Sequence, residues 1–477
     1  QAALVALEPL AKKHVTAASV VVIDNASGDV LAYVGSQDFF DAKNHGQNDG
    51  VRARRQPGST LKPFVYGLAM EKLGFTAAPV LPDIEMELPL LTGPYAPMNY
   101  DEKFHGPVRL REALANSFNV PAVWTATQVG DTPLLDRLHD LGMGSLTEAP
   151  DYYGPALALG DGEVTLLELT NAYATIARKG LYEPLRFTMD APRAANRRVM
   201  PESIALVLAD ILKDRDARLA SFGEKSVLEL PFEVAAKTGT SKGFRDNWTV
   251  GFTNEVTVGV WVGNFDGSAM DGISGITGAG PIFRSVMIAA MQGRAPSPMG
   301  AATSNELVRR EVCPLSGMAP TAACGHTILE WIPAKHALLD ACNMHEFVRT
   351  GVHVEESFET FPPEYAAWAK AAHRRVAPPT SMELAANHGG DRLRIASPND
   401  GASYEIDPSR PAVTQALPVR IDAPKNAGRI RLRVDGRVIA ASDDAHVVTW
   451  QLVPGQHVLV AETETGAESA PVRVVVE

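Results

Sequence analysis

The sequence predicts an α/β (α+β) protein in which distant parts of the chain form one sheet around an inserted helical lobe, followed by a small all-β, immunoglobulin-like sandwich. Three observations carry this expectation. Strand-like runs open the chain and return after residue 232, helical periodicity fills the interval, and residues 393–477 alternate between apolar and polar with hairpin signals.

The elements follow in order. Ser19–Asp24 and Val30–Gly35 flank the turn-forming run Asn25–Asp29, which predicts a hairpin. After a polar loop carrying Arg52, Arg54 and Arg55, Pro57-Gly58 precede a helical pattern from Ser59, with Leu61, Phe64, Val65, Leu68, Ala69 and Leu73 on one face. Helices fit Leu110–Asn116, Val120–Val129, Leu166–Ala177 and Pro201–Leu212. Val234–Lys237, Trp248–Phe252 and Val256–Val262 read as strands, with a helix around Pro281–Met291. Arg294–Gly300 and Val376–Gly390 read as loops, the latter a hinge through Pro378-Pro379 and Gly389-Gly390. In the tail, Ile430, Leu432 and Val434 turn through Asp435-Gly436 into Val438, and Pro454-Gly455 is expected to close a second hairpin between Val447–Leu452 and His457–Val460.

Composition narrows the function. The 477 residues are 45% hydrophobic and 21% charged, an ordinary globular balance. Asp and Glu outnumber Lys and Arg by 56 to 44, and a net charge of −12 argues against nucleic acid as a partner. No run of 18 apolar residues is present, so no helix here is long and apolar enough to span a bilayer.

The chemistry gathers in three short motifs. Ser59-Thr-Leu-Lys62 is the only Ser-x-x-Lys in the chain. Alone it is equally a helix start with a capping serine. On a helix, residues three apart share a face, so Ser59 and Lys62 can meet, and a neutral lysine can take the hydroxyl proton. For that its pKa must fall by about three, roughly 4 kcal/mol, which burial and a second cation can supply. Ser117-Phe-Asn119 lies between two helices, where it would otherwise read as capping, and Lys237-Thr-Gly-Thr240 ends a predicted strand. There Gly239 would let a ligand backbone approach, Thr240 would offer backbone N–H and hydroxyl donors, and Lys237 would supply the second cation.

These motifs and their flanks, Arg55–Phe64, Ala115–Pro121, and Lys237–Ser241 followed by Asp246-Asn-Trp248, resemble class A penicillin-binding proteins and their serine β-lactamase kin from about Ser19 to Met291. The downstream Cys313–Gly317 segment and the terminal sandwich resemble the 1C type. The resemblance implies a transpeptidase domain over 1–300, a cysteine-containing connecting segment over 301–385 and a β-sandwich over 386–477. It implies a D,D-transpeptidase acting on peptidoglycan stem peptides and inhibited by β-lactams. Ser59 would be the nucleophile, Lys62 the base, Ser117 a proton relay, Asn119 a substrate holder, Lys237 a positive field, and Thr238, Gly239 and Thr240 the substrate edge. Water as acceptor, giving a carboxypeptidase or β-lactam hydrolase, and a non-catalytic peptidoglycan-binding module are the alternatives. The resemblance further implies a periplasmic setting, with a membrane anchor and glycosyltransferase domain upstream, and a periplasmic protein partner for the C-terminal domain. No cofactor is expected at the catalytic site.

Other features are plainer. Gly239-Thr-Ser241-Lys-Gly243 fits a hydrolase nucleophile elbow, but the strand expected after it does not. His14, His45 and His105 have no evident partner. Cys313, Cys324, Cys342 and His345 could form a zinc site, one disulfide plus a free thiol, or a set of small packed hydrophobes, and the loop-like sequence around them calls for a staple.

Overall fold

The computed structural model describes residues 1–90, 93–336, 339–349, 355–376, 393–398, 400–404, 406, 416–423, 429–442 and 447–476. The chain forms two compact units, Gln1–Ala377 and Pro378–Glu477. The expected hinge residues Pro378, Pro379, Gly389 and Gly390, and the expected boundary at 385, lie outside the described residues.

The first unit opens with strands β1 (Ala17–Asp24) and β2 (Val30–Val34). A 3-10 turn over Gly58–Leu61 runs into helix α1 (Lys62–Lys72). The ribbon of β3 (Val80–Asp83) and β4 (Gly106–Arg109) leads to α2 (Leu110–Ala115) and α3 (Asn119–Val129). Helices α4 (Leu166–Ala177) and α5 (Glu202–Lys213) follow. Strands β5 (Ala235–Thr240), β6 (Asp246–Phe252) and β7 (Val256–Gly263) then precede α6 (Ala279–Ala290).

Five strands join in the order β2-β1-β7-β6-β5, each pair antiparallel, so the opening strands and those that follow the helical lobe meet at the β1–β7 ladder, with Val21 opposite Gly259. Alternation assigns the faces. Ala17, Val21 and Ile23 join Trp248, Val250 and Phe252 in the core shared with the helical lobe. Ala18, Val20 and Val22 join Val258, Val260 and Val262 under Ile282, Phe283 and Met287 of α6. With both faces covered, β7 is buried along its whole length, which is why its sequence is apolar but for Thr257, whose hydroxyl donates to Asn25 Oδ1 at 2.7 Å.

Two boundaries differ from expectation. The α-helix begins at Lys62 rather than Ser59, because Pro63 cannot donate a backbone hydrogen bond and fits only the first turn. Ser59 therefore lies on the tighter 3-10 turn ahead of it. Strand β5 continues through Thr240 instead of ending at Lys237, with Gly239 opposite Trp248 in the ladder.

The segment after α6 belongs to the first unit. It holds two small ladders, β8 (Leu307–Val312) with β9 (Ile328–Pro333), and β10 (His345–Arg349) with β11 (Glu355–Glu359).

In the second unit, Arg394–Ser397, Ala416–Asp422 and Val447–Gln451 form one sheet. Ala402–Tyr404, Val472–Val476, Gly455–Thr463, Ile430–Val434 and Arg437–Ser442 form the other. Val419, Ile421, Val448 and Trp450 of the first share a core with Leu432, Leu459, Ala461 and Val474 of the second, as an immunoglobulin-like sandwich requires. The turn at Asp435-Gly436 forms as expected, pairing Val434 with Arg437. The hairpin expected at Pro454-Gly455 does not form. Val447–Gln451 pairs with Ala416–Arg420 in one sheet while Gly455–Thr463 pairs with the strands of the other, because Trp450 and Leu459 fill the core from opposite sheets. Arg431 and Arg433 lie on an inner strand, and Arg433 is paired with Glu468 at 2.5 Å.

Candidate active site

The loop that delivers Ser59 is fixed from several sides. The backbone of Arg55 exchanges two hydrogen bonds with that of Val164, and the Trp248 indole N–H donates to the Gln56 carbonyl at 2.8 Å. The Thr60 hydroxyl donates to Pro57 O at 2.8 Å, and the Tyr173 hydroxyl donates to Thr60 O at 2.7 Å. Gly58 has φ +56°, and a Cβ there would stand 2.6 Å from the Thr240 carbonyl oxygen. Both the backbone conformation and the close passage of β5 demand glycine. The result is a half-buried Ser59 in a rigid turn.

Gly239 is small for a different reason from the one expected. A Cβ at Gly239 would meet the Pro57 carbonyl oxygen at 2.2 Å and Thr60 Cγ2 at 2.8 Å. Its space is taken by the serine loop, not left for a ligand. The glycine seats β5 directly against the turn that carries Ser59.

Lys62 is fully buried. Its ammonium group donates to Ser117 O at 2.6 Å, Phe118 O at 3.0 Å and Asn119 Oδ1 at 2.6 Å, and lies 3.4 Å from Ser117 Oγ. Among the described hydrogen bonds none joins it to Ser59. Ser117 has φ +62° and lies between the end of α2 and the start of α3, so its carbonyl has no helical partner. Lysine fills that vacancy. Burial and the Lys237 charge push the Lys62 pKa well below the ordinary lysine value, while the Asp83 carboxylate pulls the other way.

Lys237, on β5, donates to Ser117 Oγ at 2.7 Å and to Thr238 O at 3.0 Å. It is buried too, and burial lowers its pKa to about 7. Ser117 Oγ thus accepts from one lysine and lies beside another, leaving its own proton to donate. Thr240 Oγ1 accepts from Gly275 N at 2.9 Å and keeps its hydroxyl proton. Strand β5 is the outer strand of the sheet. Ser241 N–H donates inward to Asp246 O, and in an antiparallel ladder alternate residues bond inward, so Thr240 N–H is directed off the open edge.

A layer behind the site has no sequence signature. Asp83, fully buried, accepts from Asn99 Nδ2 at 2.7 and 2.9 Å, from His105 N at 3.1 Å, and pairs with His105 Nδ1 at 2.6 Å. Asn99 Oδ1 in turn accepts from Asn119 N at 2.7 Å and caps α3. His105, for which no partner was evident, stacks on Phe118 at 4.1 Å, and the Asp83 hydrogen bond raises its pKa. These residues hold Asn119, whose Nδ2 donates to Met98 O at 2.8 Å while its Oδ1 faces Lys62.

The elbow-like Ser241 is a joint. Its hydroxyl donates to Asp246 Oδ2 at 3.0 Å and accepts from Asp246 N at 2.8 Å, closing the β5–β6 connection. Arg55 is structural as well, donating to Phe265 O at 2.8 Å and lying 5.4 Å from the Trp261 ring centre.

The geometry has close relatives. Residues 18–288 match the family model described as the penicillin binding protein transpeptidase domain, and residues 383–474 match the penicillin-binding protein C-terminus family. The chain is 34% identical over 268 residues to penicillin-binding protein 1C of Escherichia coli, covering 56% of this chain and 34% of that one. It is 34% identical over 261 residues to penicillin-binding protein 1A of Aquifex aeolicus, covering 51% and 34%. The chain thus spans about a third of the length of these relatives. Among solved structures, penicillin-binding protein 1A of Haemophilus influenzae superimposes with TM-score 0.57 at 21% identity over 68% of this chain and 54% of that one. PonA1 of Mycobacterium tuberculosis in complex with penicillin V gives 0.51 at 22% over 62% and 85%.

Proposed function

The chain belongs to the penicillin-binding protein transpeptidase family, and we propose that it is a serine D,D-transpeptidase that cross-links peptidoglycan stem peptides in the cell envelope and is acylated by β-lactams. The observation that carries this is the pair of buried lysines converging on Ser117 Oγ behind the turn that presents Ser59.

In the proposed reaction Ser59 Oγ attacks the carbonyl carbon of the penultimate D-Ala, and its proton passes to neutral Lys62. Lys62 must give up one of its three acceptor contacts to receive it. Asn119 Oδ1, carried on a side chain, is the one that can swing. Lys62 acts as base because burial and the neighbouring cation favour its neutral form. The proton travels through Ser117 Oγ to the leaving nitrogen as the C–N bond breaks and D-Ala departs. Ser59 N–H and Thr240 N–H face the developing oxyanion, each worth about 3 kcal/mol. Thr238 and the Thr240 hydroxyl line the edge that receives the substrate carboxylate, and the remaining Nδ2 hydrogen of Asn119 meets the substrate amide. An amine from a neighbouring stem then attacks the ester, expels Ser59 Oγ and returns the proton. A β-lactam supplies the same carbonyl without a departing group, so the ester persists.

Labelling with a fluorescent penicillin followed by peptide mass spectrometry tests this reading. The label is expected on Ser59 and absent from Ser59→Ala. A label retained in that variant, on Ser241 or elsewhere, overturns the assignment. Turnover of a D-Ala-D-Ala depsipeptide with transfer to an added amine separates transpeptidation from hydrolysis.

A further inference from the structure

Outside the active site, Cys313, Cys324, Cys342 and His345 place one ligand atom each within 4.8 Å of one another. We propose that they form a structural zinc site of three thiolates and one imidazole, which ties the β8–β9 and β10–β11 ladders together. The sequence by itself left zinc, a disulfide or simple packing open. The tertiary arrangement favours the metal.

The distances are those of a metal shell. With Zn–S of about 2.3 Å and Zn–N of about 2.0 Å, the sulfur-to-nitrogen edge of a tetrahedron is about 3.5 Å. His345 Nδ1 lies 3.4 Å from Cys313 Sγ and 3.5 Å from Cys342 Sγ. A disulfide between two of these thiols has no use for an imidazole lodged between them, and it would strand the third thiol. Three thiolates and an imidazole are also too soft a set for calcium or magnesium and one cysteine short of the usual iron–sulfur shell.

The backbone is arranged to present the ligands. Cys313 follows β8, and its turn is closed by Cys313 N donating to Met318 O and Gly317 N donating to Cys313 O, both at 2.8 Å. Cys342 is brought alongside by Cys342 N donating to Ala319 O at 2.8 Å. His345 is the first residue of β10, where pairing with Glu359 fixes its place. Cys324 Sγ receives the Thr321 N–H at 3.3 Å and stands 3.6 Å from the Thr321 hydroxyl. Such donors are what a zinc-bound thiolate gathers in its outer shell.

The segment also needs what a metal provides. The β8–β9 ladder buries Leu307, Val312 and Ile332 against the lobe, but among the described residues the β10–β11 ladder contributes none to a buried apolar cluster, too little to order a lone two-stranded ladder. The four ligands come from the end of β8, the loop before β9, and the approach to and start of β10, so one ion ties both ladders together. Zinc would also withhold the thiolates from oxidation.

The full chain, purified without chelator or added metal, is expected to carry close to one zinc per molecule by elemental mass spectrometry. Cys324→Ser and His345→Ala should lose it, whereas His345→Cys, which keeps four donors, should retain it. Replacement by cobalt should give the visible ligand-field bands of a tetrahedral thiolate site, a reading on the unmutated chain that does not depend on any variant folding. Chelation should lower Tm by about 5 °C or more, with recovery on adding zinc but not magnesium. A zinc-free chain two hydrogen masses lighter than its reduced form would assign a disulfide and overturn the proposal. So would a chain with three free thiols that neither binds zinc nor gives the cobalt spectrum.

Discussion

Lys62 and Lys237 are buried with only neutral groups in hydrogen-bond reach, namely carbonyls, an amide oxygen and the Ser117 hydroxyl. Arg111, nearly as buried, meets carboxylates on every side. Its Nε and Nη2 donate to the two oxygens of buried Glu330 at 2.8 and 2.6 Å, Nη1 reaches Asp214 at 2.8 Å, and Nη2 reaches Asp210 at 2.9 Å. Burial by itself pushes all three cations toward neutrality. At Arg111 the Glu330 and Asp210 carboxylates more than reverse it and raise the pKa, whereas at the lysines burial prevails. The first arrangement is a fixed joint, binding β9 of the connecting segment to α2 and α5. The second leaves protons able to move. Charge without a counter-charge destabilises the fold, and it is this cost that makes a lysine a base.

Lys62→Arg tests the contrast most severely. Arginine keeps the charge but stays protonated, so penicillin acylation should fall about a thousand-fold or more, nearly as far as in Lys62→Ala. Stopped-flow acylation near the normal rate would mean that Lys62 serves only as a positive charge.

Arg111→Met should destabilise the first unit by about 3–5 kcal/mol, because Glu330 is left buried without its partner. Adding Glu330→Leu should recover much of that loss. Denaturant midpoints measure both, and a single variant as stable as the parent would show that the joint contributes nothing.

Lys237→Met should do the opposite, abolishing acylation yet raising stability by about 1–2 kcal/mol at pH 6. The sign follows from linkage. The folded pKa of about 7 lies below the ordinary lysine value of 10.5, so the folded state holds fewer protons between those values and stability rises with pH across that window. The penalty is greatest below about pH 7, which is where the methionine variant should gain most. A gain that does not shrink toward pH 10.5 would place the effect elsewhere than in the buried charge.

The smallest effect is expected from the tail. The described hydrogen-bond partners of Lys62, Lys237 and Arg111 all belong to the first unit. Truncation after Val376 should leave acylation within about three-fold of the full chain. A folded truncation product that no longer reacts with penicillin would make the C-terminal unit part of the catalytic apparatus.

Much of the sheet was legible because both of its faces are covered: β1 carries Val20–Ile23 ahead of Asn25, and β7 is apolar but for Thr257 and ends at Gly263-Asn264. The three motifs were legible because common residue types, serine, lysine, asparagine and glycine, stand at fixed short spacings in three settings that suit one chemistry. Sequence periodicity and composition are local, and they decide which residues are helical, which are extended and where residue types capable of the chemistry cluster. Tertiary structure alone decided that Lys62 faces Ser117 and Asn119, that Gly239 makes room for Pro57 and not for a ligand, and that Trp450 and Leu459 enter the sandwich core from different sheets. It alone brought Asp83, Asn99 and His105 behind Asn119, and Cys313 beside His345. Burial and the distance between charges are set by contacts across the chain. The same lysine or cysteine is a solvated group or a poised one according to neighbours that no window of sequence contains.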